Sequence, residues 1–229
     1  VGRGAAPITR NSGLVVAIDL EDLDRALAVA AAAGPHVDAV KVGYPTVLSC
    51  GTAAVAALAK ASGRPVICDF KIADIPPVAG AIAARAVASG ARGVICHAFA
   101  GADTVAAVVR ACDGAGALPI AVVEMSHPGG ATFTQPAAER LVDAALEGGA
   151  RAIVAPATRP GAIAALKARA RLPVFSPGAG AQGGSAEEAA RAGADFVIVG
   201  RTISTAADPA AAAKAAAASI AKGVPRARA

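Results

Sequence analysis

The chain has 229 residues, of which 55% are hydrophobic but only 3% aromatic, with no Trp, and a formal net charge of +5. That length suits a single α/β barrel, and small apolar residues in that proportion suit helices packed closely on a buried parallel sheet. The charge is compatible with an anionic substrate, but no basic run or aromatic platform argues for nucleic acid. Charges, Gly and Pro interrupt every apolar stretch before it reaches the length of a membrane span.

Val1–Asn11 holds two arginines and no apolar core, so no secretory signal is expected there. The four cysteines, Cys50, Cys68, Cys96 and Cys112, show no C-x-x-C spacing. They read as buried free thiols of a reducing cytoplasm, neither a disulfide set nor a zinc site.

After a polar N-terminal tail, Leu14–Ile18 is a short buried run ending at Asp19. A helical pattern over Leu20–Ala33 stops at Gly34-Pro35. Ala39–Gly43 is followed by Ala-rich Thr52–Ser62, Val66–Phe70 by a helix near Val78–Ser89, and Gly93–His97 by one near Asp103–Cys112. Pro119–Met125 leads through a loop to Ala137–Glu147, and Ala152–Ala155 to Pro160–Ala170. Pro173–Ser176 leads to Glu187–Ala192, and Phe196–Gly200 to a last helix near Pro209–Ile220.

Eight strand–helix units in one unbroken series imply right-handed crossovers and a closed (β/α)8 TIM barrel. An open doubly wound sheet is disfavoured, because the first strand ends in Asp19-Leu-Glu and not in a Gly-rich turn. No linker divides the chain. Residues 1–12 read as an N-terminal tail, 13–222 as one barrel domain and 223–229 as a C-terminal tail.

Sites in such barrels lie at the carboxyl ends of the strands. The polar residues there are Asp19, Lys41, Asp69 with Lys71, His97, Glu124 with Ser126, and Arg201, whereas the opposite ends carry little beyond Gly, Ala, Arg and Pro. In Asp69-Phe-Lys-Ile-Ala-Asp74, Asp69 and Lys71 are two apart on a strand and face one side. Asp74 follows after a turn, and Pro76 and Pro77 lead into a helix. A structural salt bridge is the plain alternative for this triplet. After the seventh and eighth strands come Ser176-Pro-Gly-Ala-Gly-Ala-Gln-Gly-Gly184 and Val199-Gly-Arg-Thr202, where barrels commonly build a phosphate site from glycine N–H groups. Arg201 can grip phosphate with two hydrogen bonds. A flexible loop and a solvated arginine are the alternatives. The Gly/Ala-rich loop is also a candidate lid.

Asp69-x-Lys71-x-x-Asp74, Glu124-Met-Ser-His-Pro-Gly129, Ser176-Pro-Gly-x-Gly-Ala-Gln-Gly and Val199-Gly-Arg201 together resemble the orotidine 5′-phosphate decarboxylases, especially their archaeal-type short form. The first motif is shared with magnesium-dependent phosphosugar enzymes such as hexulose-phosphate synthase; the Met-Ser-His-Pro and Gly-Ala-Gln-Gly segments single out the orotidylate enzyme. The resemblance implies a cofactor-free, metal-free conversion of orotidine 5′-phosphate to UMP in pyrimidine biosynthesis, by a cytoplasmic homodimer with shared active sites.

It further implies that Lys71 protonates C6 of the pyrimidine, that Asp69 lies against the departing carboxylate, and that Asp74 enters the other subunit's site. Asp19 and Lys41 would hold ribose hydroxyls or the charge network, Ser126 the pyrimidine edge, and Gln182 both base and phosphate. Gly200 and Arg201 would hold phosphate, with Pro177 among the substrate-binding residues. His97 reads as a hydrogen-bonded rim histidine, and His127 and His36 as structural or exposed. Val78 stands where the family often has a polar Thr, a departure that bears on one ribose or phosphate contact and not on the charged array. Two rival readings remain: a magnesium enzyme with Asp69 and Glu124 as metal ligands, and a non-catalytic barrel that binds a nucleotide.

Overall fold

In the computed structural model, which describes residues 8–224, eight parallel strands follow one another around a closed barrel, with β1 pairing to β8. The strands are β1 (Leu14–Ile18), β2 (Ala39–Gly43), β3 (Val66–Ile72), β4 (Gly93–His97), β5 (Leu118–Val122), β6 (Ala152–Val154), β7 (Val174–Pro177) and β8 (Phe196–Val199). The helices are α1 (Leu23–Ala33), α2 (Tyr44–Cys50), α3 (Ala53–Ser62), α4 (Pro76–Ala88), α5 (Ala102–Asp113), α6 (Pro128–Phe133), α7 (Ala138–Glu147), α8 (Pro160–Ala170), α9 (Ala186–Arg191), α10 (Arg201–Ser204) and α11 (Pro209–Gly223).

Local chemistry sets the helix ends. The first helix begins at Leu23 and not at Leu20, because the Asp22 side chain caps it by accepting from the Arg25 N–H at 2.8 Å. Asp208 caps α11 in the same way through the Ala211 N–H at 3.0 Å, with Pro209 in the first turn. Three short helices, α2, α6 and α10, lie in stretches the hydrophobic pattern leaves as connections. They are too short to show a periodic apolar face.

Strand alternation divides the core into two layers. Val15, Ala17, Ile67, Ile95, Ile120, Val154, Phe175 and Ile198 fill the barrel, with Phe175 stacked on Phe196 at 4.5 Å. Val16, Val40, Val66, Val94, Ala121, Ile153 and Val197 face outward and pack under the helices. Fully burying one such branched side chain stabilises the fold by about 1.5–3 kcal/mol. The Ala-rich helix faces allow close approach.

The amino end of the barrel is more polar than expected. Buried Asp38 accepts from the backbone N–H groups of Asn11, Ser12 and Gly13. Asp195 accepts from Lys167 and from the Val174 N–H. Both carboxylates lie one or more residues before a strand and tie backbone together. Of the expected tails, 1–7 and 225–229 lie outside the described residues, while Ile8 packs into the barrel interior. Cys68, Cys96 and Cys112 are buried free thiols, each pushed up to about 12 chiefly by burial, and so inert as nucleophiles. Cys50 departs from that expectation: it is half-exposed, and its thiol donates to the Glu21 carbonyl. Among the described residues no helix is long and apolar enough to cross a membrane.

Candidate active site

The inward-facing rows of the strands are apolar at depth and turn charged at the carboxyl rim. Ala39 gives way to Lys41 two residues on, Ile67 to Asp69, Ile95 to His97 and Val122 to Glu124. A cavity of about 390 Å³ opens above the apolar layer, a size suited to a small ligand. Asp19, Lys41, Asp69, Lys71, Ser126, Pro177, Gln182, Gly200 and Arg201 all line it, so nine of the ten expected site residues share one chamber.

Four of them form a chain of alternating charge. Lys41 Nζ lies 3.5 Å from Asp19 and 3.0 Å from Asp69, and Lys71 Nζ donates to both Asp69 oxygens at 2.9 Å. The Lys41 and Asp69 side chains are only 7% and 9% exposed, whereas that of Lys71 is 41% exposed. Burial pulls the Lys41 ammonium down, but Asp69 and Asp19 outweigh it and leave its pKa raised. Burial likewise pushes the Asp69 carboxyl up, and Lys41 and Lys71 outweigh that to hold it below the usual carboxylate range. The three buried or half-buried ions are therefore mutually dependent.

Strand alternation alone does not bring Lys71 to Asp69. The β3–β4 register shifts between Cys68 and Ile72, and Lys71 has a φ of +43°. A non-glycine residue in that region is strained, and such bulges commonly re-aim a side chain beside a site. Here the irregularity turns the Lys71 ammonium back onto the Asp69 carboxylate.

Asp74 is not in this chain's cavity. It is exposed, and its carboxylate accepts from the N–H of its neighbour Ile75 at 2.7 Å. The Thr104 hydroxyl holds its carbonyl at 2.9 Å. Exposed apolar Ile75, Val78 and Phe99 lie on the same rim.

One expectation needs correcting, and the rival magnesium reading loses a ligand. His97 is not a hydrogen-bonded rim histidine: it is buried, its Nδ1 has no partner, and its ring packs against Phe99 at 4.6 Å. Burial first, and then the Lys71 charge, lower it to about 4, so the imidazole is neutral. Glu124 is not a free ligand either. It is 1% exposed and accepts from the Arg159 guanidinium, which also donates to the Met125 carbonyl. His127 is exposed at the cavity edge and His36 is half-buried, as expected.

Arg159 and Thr158 are the residues that sequence reasoning passed over. The Thr158 hydroxyl donates to the Ser126 carbonyl at 3.3 Å, so together they fix Met125-Ser126 from the loop after β6. The Thr134 hydroxyl adds a third hold by accepting from the Met125 N–H at 3.0 Å. The available signal is positional: β6 is the one strand whose carboxyl end is given neither a polar rim residue nor a ligand-binding loop. In the glycine loop, Gly178 has a φ of +101°, and a Cβ there would lie 3.2 Å from Ser126 and 3.4 Å from Gln182. That glycine lets the loop pack down beside both cavity-lining side chains.

A family model described as "Orotidine 5'-phosphate decarboxylase / HUMPS family" matches residues 12–216. The chain belongs to the orotidine 5′-phosphate decarboxylase / HUMPS family. An orotidine 5′-phosphate decarboxylase of Methanococcoides burtonii is 44% identical over 207 residues, covering 90% of this chain and 95% of that protein. The crystal structure of the Methanocaldococcus jannaschii orotidine 5′-monophosphate decarboxylase with the inhibitor BMP superposes with a TM-score of 0.87 at 40% identity, covering 93% of this chain and 99% of that one. The Pyrococcus horikoshii enzyme gives 0.82 at 37% identity, covering 91% and 99%. The barrel is the frame shared with these family members.

Proposed function

We propose that this protein decarboxylates orotidine 5′-phosphate to UMP in pyrimidine biosynthesis, in the cytoplasm and without a cofactor. The observation that carries the reading is Asp69 held between Lys41 and Lys71 inside the chamber, in a chain whose relatives carry that enzyme's name.

The chemistry follows from the charges. Losing carbon dioxide from C6 leaves an electron pair in an sp² orbital that the pyrimidine π-system cannot accept. With the phosphate on Gly200 and Arg201, the base edge on Ser126 and the ribose on Asp19 and Lys41, the substrate carboxylate comes to lie against Asp69. Two carboxylates about 4 Å apart repel by about 4 kcal/mol at an effective dielectric near 20. That is too little for so difficult a step, so attraction of the developing C6 anion to the Lys71 ammonium carries at least as much. As the C–C bond breaks, the electron pair stays on C6 and Lys71 Nζ transfers a proton to it. The amine regains its proton from solvent when the site opens. Gln182 bridges base and phosphate, and the glycine loop that carries it is the candidate lid over the bound substrate.

The second subunit completes the site. Asp74 is exposed outside its own chamber, and exposed Ile75, Val78 and Phe99 add apolar surface suited to an isologous contact. The partner's copy of this segment would then supply the second anion beside each Lys71.

The magnesium-dependent phosphosugar reading needs Glu124 as a ligand, and its carboxylate is taken up by Arg159. A spectrophotometric assay of orotidylate, run with and without a chelator, tests the proposal. Turnover that survives chelation is expected; loss on chelation would favour the phosphosugar chemistry, and UMP binding without turnover would favour a regulatory barrel.

A further inference from the structure

Gly43 closes β2 with a φ of −107° and a ψ of −172°, extended backbone that any residue adopts. Nothing in the conformation asks for glycine, and glycine weakens a strand. The demand comes from the end of the neighbouring strand, β1. A Cβ at position 43 would lie 2.5 Å from Asp19 Oδ1, while the next atom from another residue, Pro45 Cδ, is 3.6 Å away in ordinary contact. The Asp19 carboxylate occupies the space a side chain would take.

The same stretch of chain grips Asp19 on both flanks. The buried Thr46 hydroxyl donates to the Ile18 carbonyl at 3.2 Å, and the Cys50 thiol donates to the Glu21 carbonyl at 3.2 Å. Gly43, Thr46 and Cys50 thus form a mould around residues 18–21. Asp19 sits in it 3.5 Å from Lys41, the outermost member of the charge chain.

We propose that Gly43 is a positioning residue for substrate recognition, whose missing side chain seats the Asp19 carboxylate where it meets the ribose hydroxyls. The inference rests on the ribose role given to Asp19 above. Because Asp19 is exposed, a methyl group at 43 displaces the carboxylate outward and leaves the strand intact. Gly43→Ala therefore weakens nucleotide binding without lowering thermal stability appreciably.

The test is a double-mutant cycle read by calorimetric titration with UMP. Gly43→Ala and Asp19→Ala should each raise Kd by about tenfold, the scale of one charge-assisted hydrogen bond. Adding Gly43→Ala to the Asp19→Ala protein should change Kd no further, since the group it displaces is gone. Equal losses in both backgrounds would overturn the proposal, because Gly43 would then act on the strand and not through Asp19. Wild-type affinity in Gly43→Ala would overturn it too. Wild-type affinity in Asp19→Ala alone would strike the ribose reading underneath, a different failure visible in a different protein.

Discussion

Lys41 and Lys71 share one carboxylate: Asp69 Oδ2 lies 3.0 Å from the first ammonium and 2.9 Å from the second. The two lysines differ in what they can tolerate. Lys41 is sealed in the barrel, while Lys71 reaches solvent.

Removing Asp69 should therefore damage the fold as well as the chemistry. Asp69→Ala strands the buried Lys41 with only the more distant Asp19, and breaking a buried pair in this way costs about 3–5 kcal/mol. Lys71→Ala removes the proposed proton donor but leaves Asp69 paired to Lys41, so it should abolish turnover at close to wild-type stability. Urea unfolding of the two variants, beside the orotidylate assay, checks the contrast. Equal stabilities would mean that the carboxylate is not what keeps Lys41 buried.

His97 predicts a pH dependence. Its value of about 4 lies below the ordinary histidine value of 6.5. Between those limits the unfolded chain binds a proton that the native protein refuses, so stability is complete above pH 6.5 and falls as the pH drops toward 4. The loss approaches about 3 kcal/mol. Lys71 and Asp69 are the charged groups acting on the ring. His97→Phe should flatten this part of the stability curve, measured by urea midpoints at pH 7 and pH 5. An unchanged slope would assign the loss to other groups.

Arg159 neutralises the buried Glu124 and holds the Met125 carbonyl. Arg159→Met should destabilise the protein by about 3–5 kcal/mol, because it leaves an unpaired buried carboxylate. It should also raise KM through the freed Met125-Ser126 segment. Adding Glu124→Gln to Arg159→Met should restore most of the stability, since a neutral amide is far cheaper to bury. If the double variant is no more stable than Arg159→Met, charge is not the reason for the loss.

The proposed dimer makes the sharpest forecast. Asp74→Asn and Lys71→Ala homodimers should each be inactive. On mixing with subunit exchange, a hybrid carries both lesions in one site and neither in the other, so activity should reappear. Exchange demonstrated by native mass spectrometry without recovery would return Asp74 to its own chain's chemistry.

The alternation of short apolar runs with helical stretches decided the barrel by itself, because eight parallel crossovers in this length have few other ways to bury their faces. Residue type decided the rim chemistry in the same way for Lys41 and Asp69, which stand two steps beyond Ala39 and Ile67 that point inward, so the parity of a strand carries them there; Arg201 arrives instead as the first residue of α10, past the end of β8. Three things waited for the tertiary structure. Lys71 reaches Asp69 through a register shift and a positive φ that no local propensity announces. Glu124 looks like a ligand until Arg159, 35 residues away, is folded onto it. Gly43 looks like a strand end until the carboxylate of Asp19 is found in the place of its side chain. Each depends on which atoms the folded chain brings together, within a bulged strand or between neighbouring strand ends, and period and composition record only which face a residue presents.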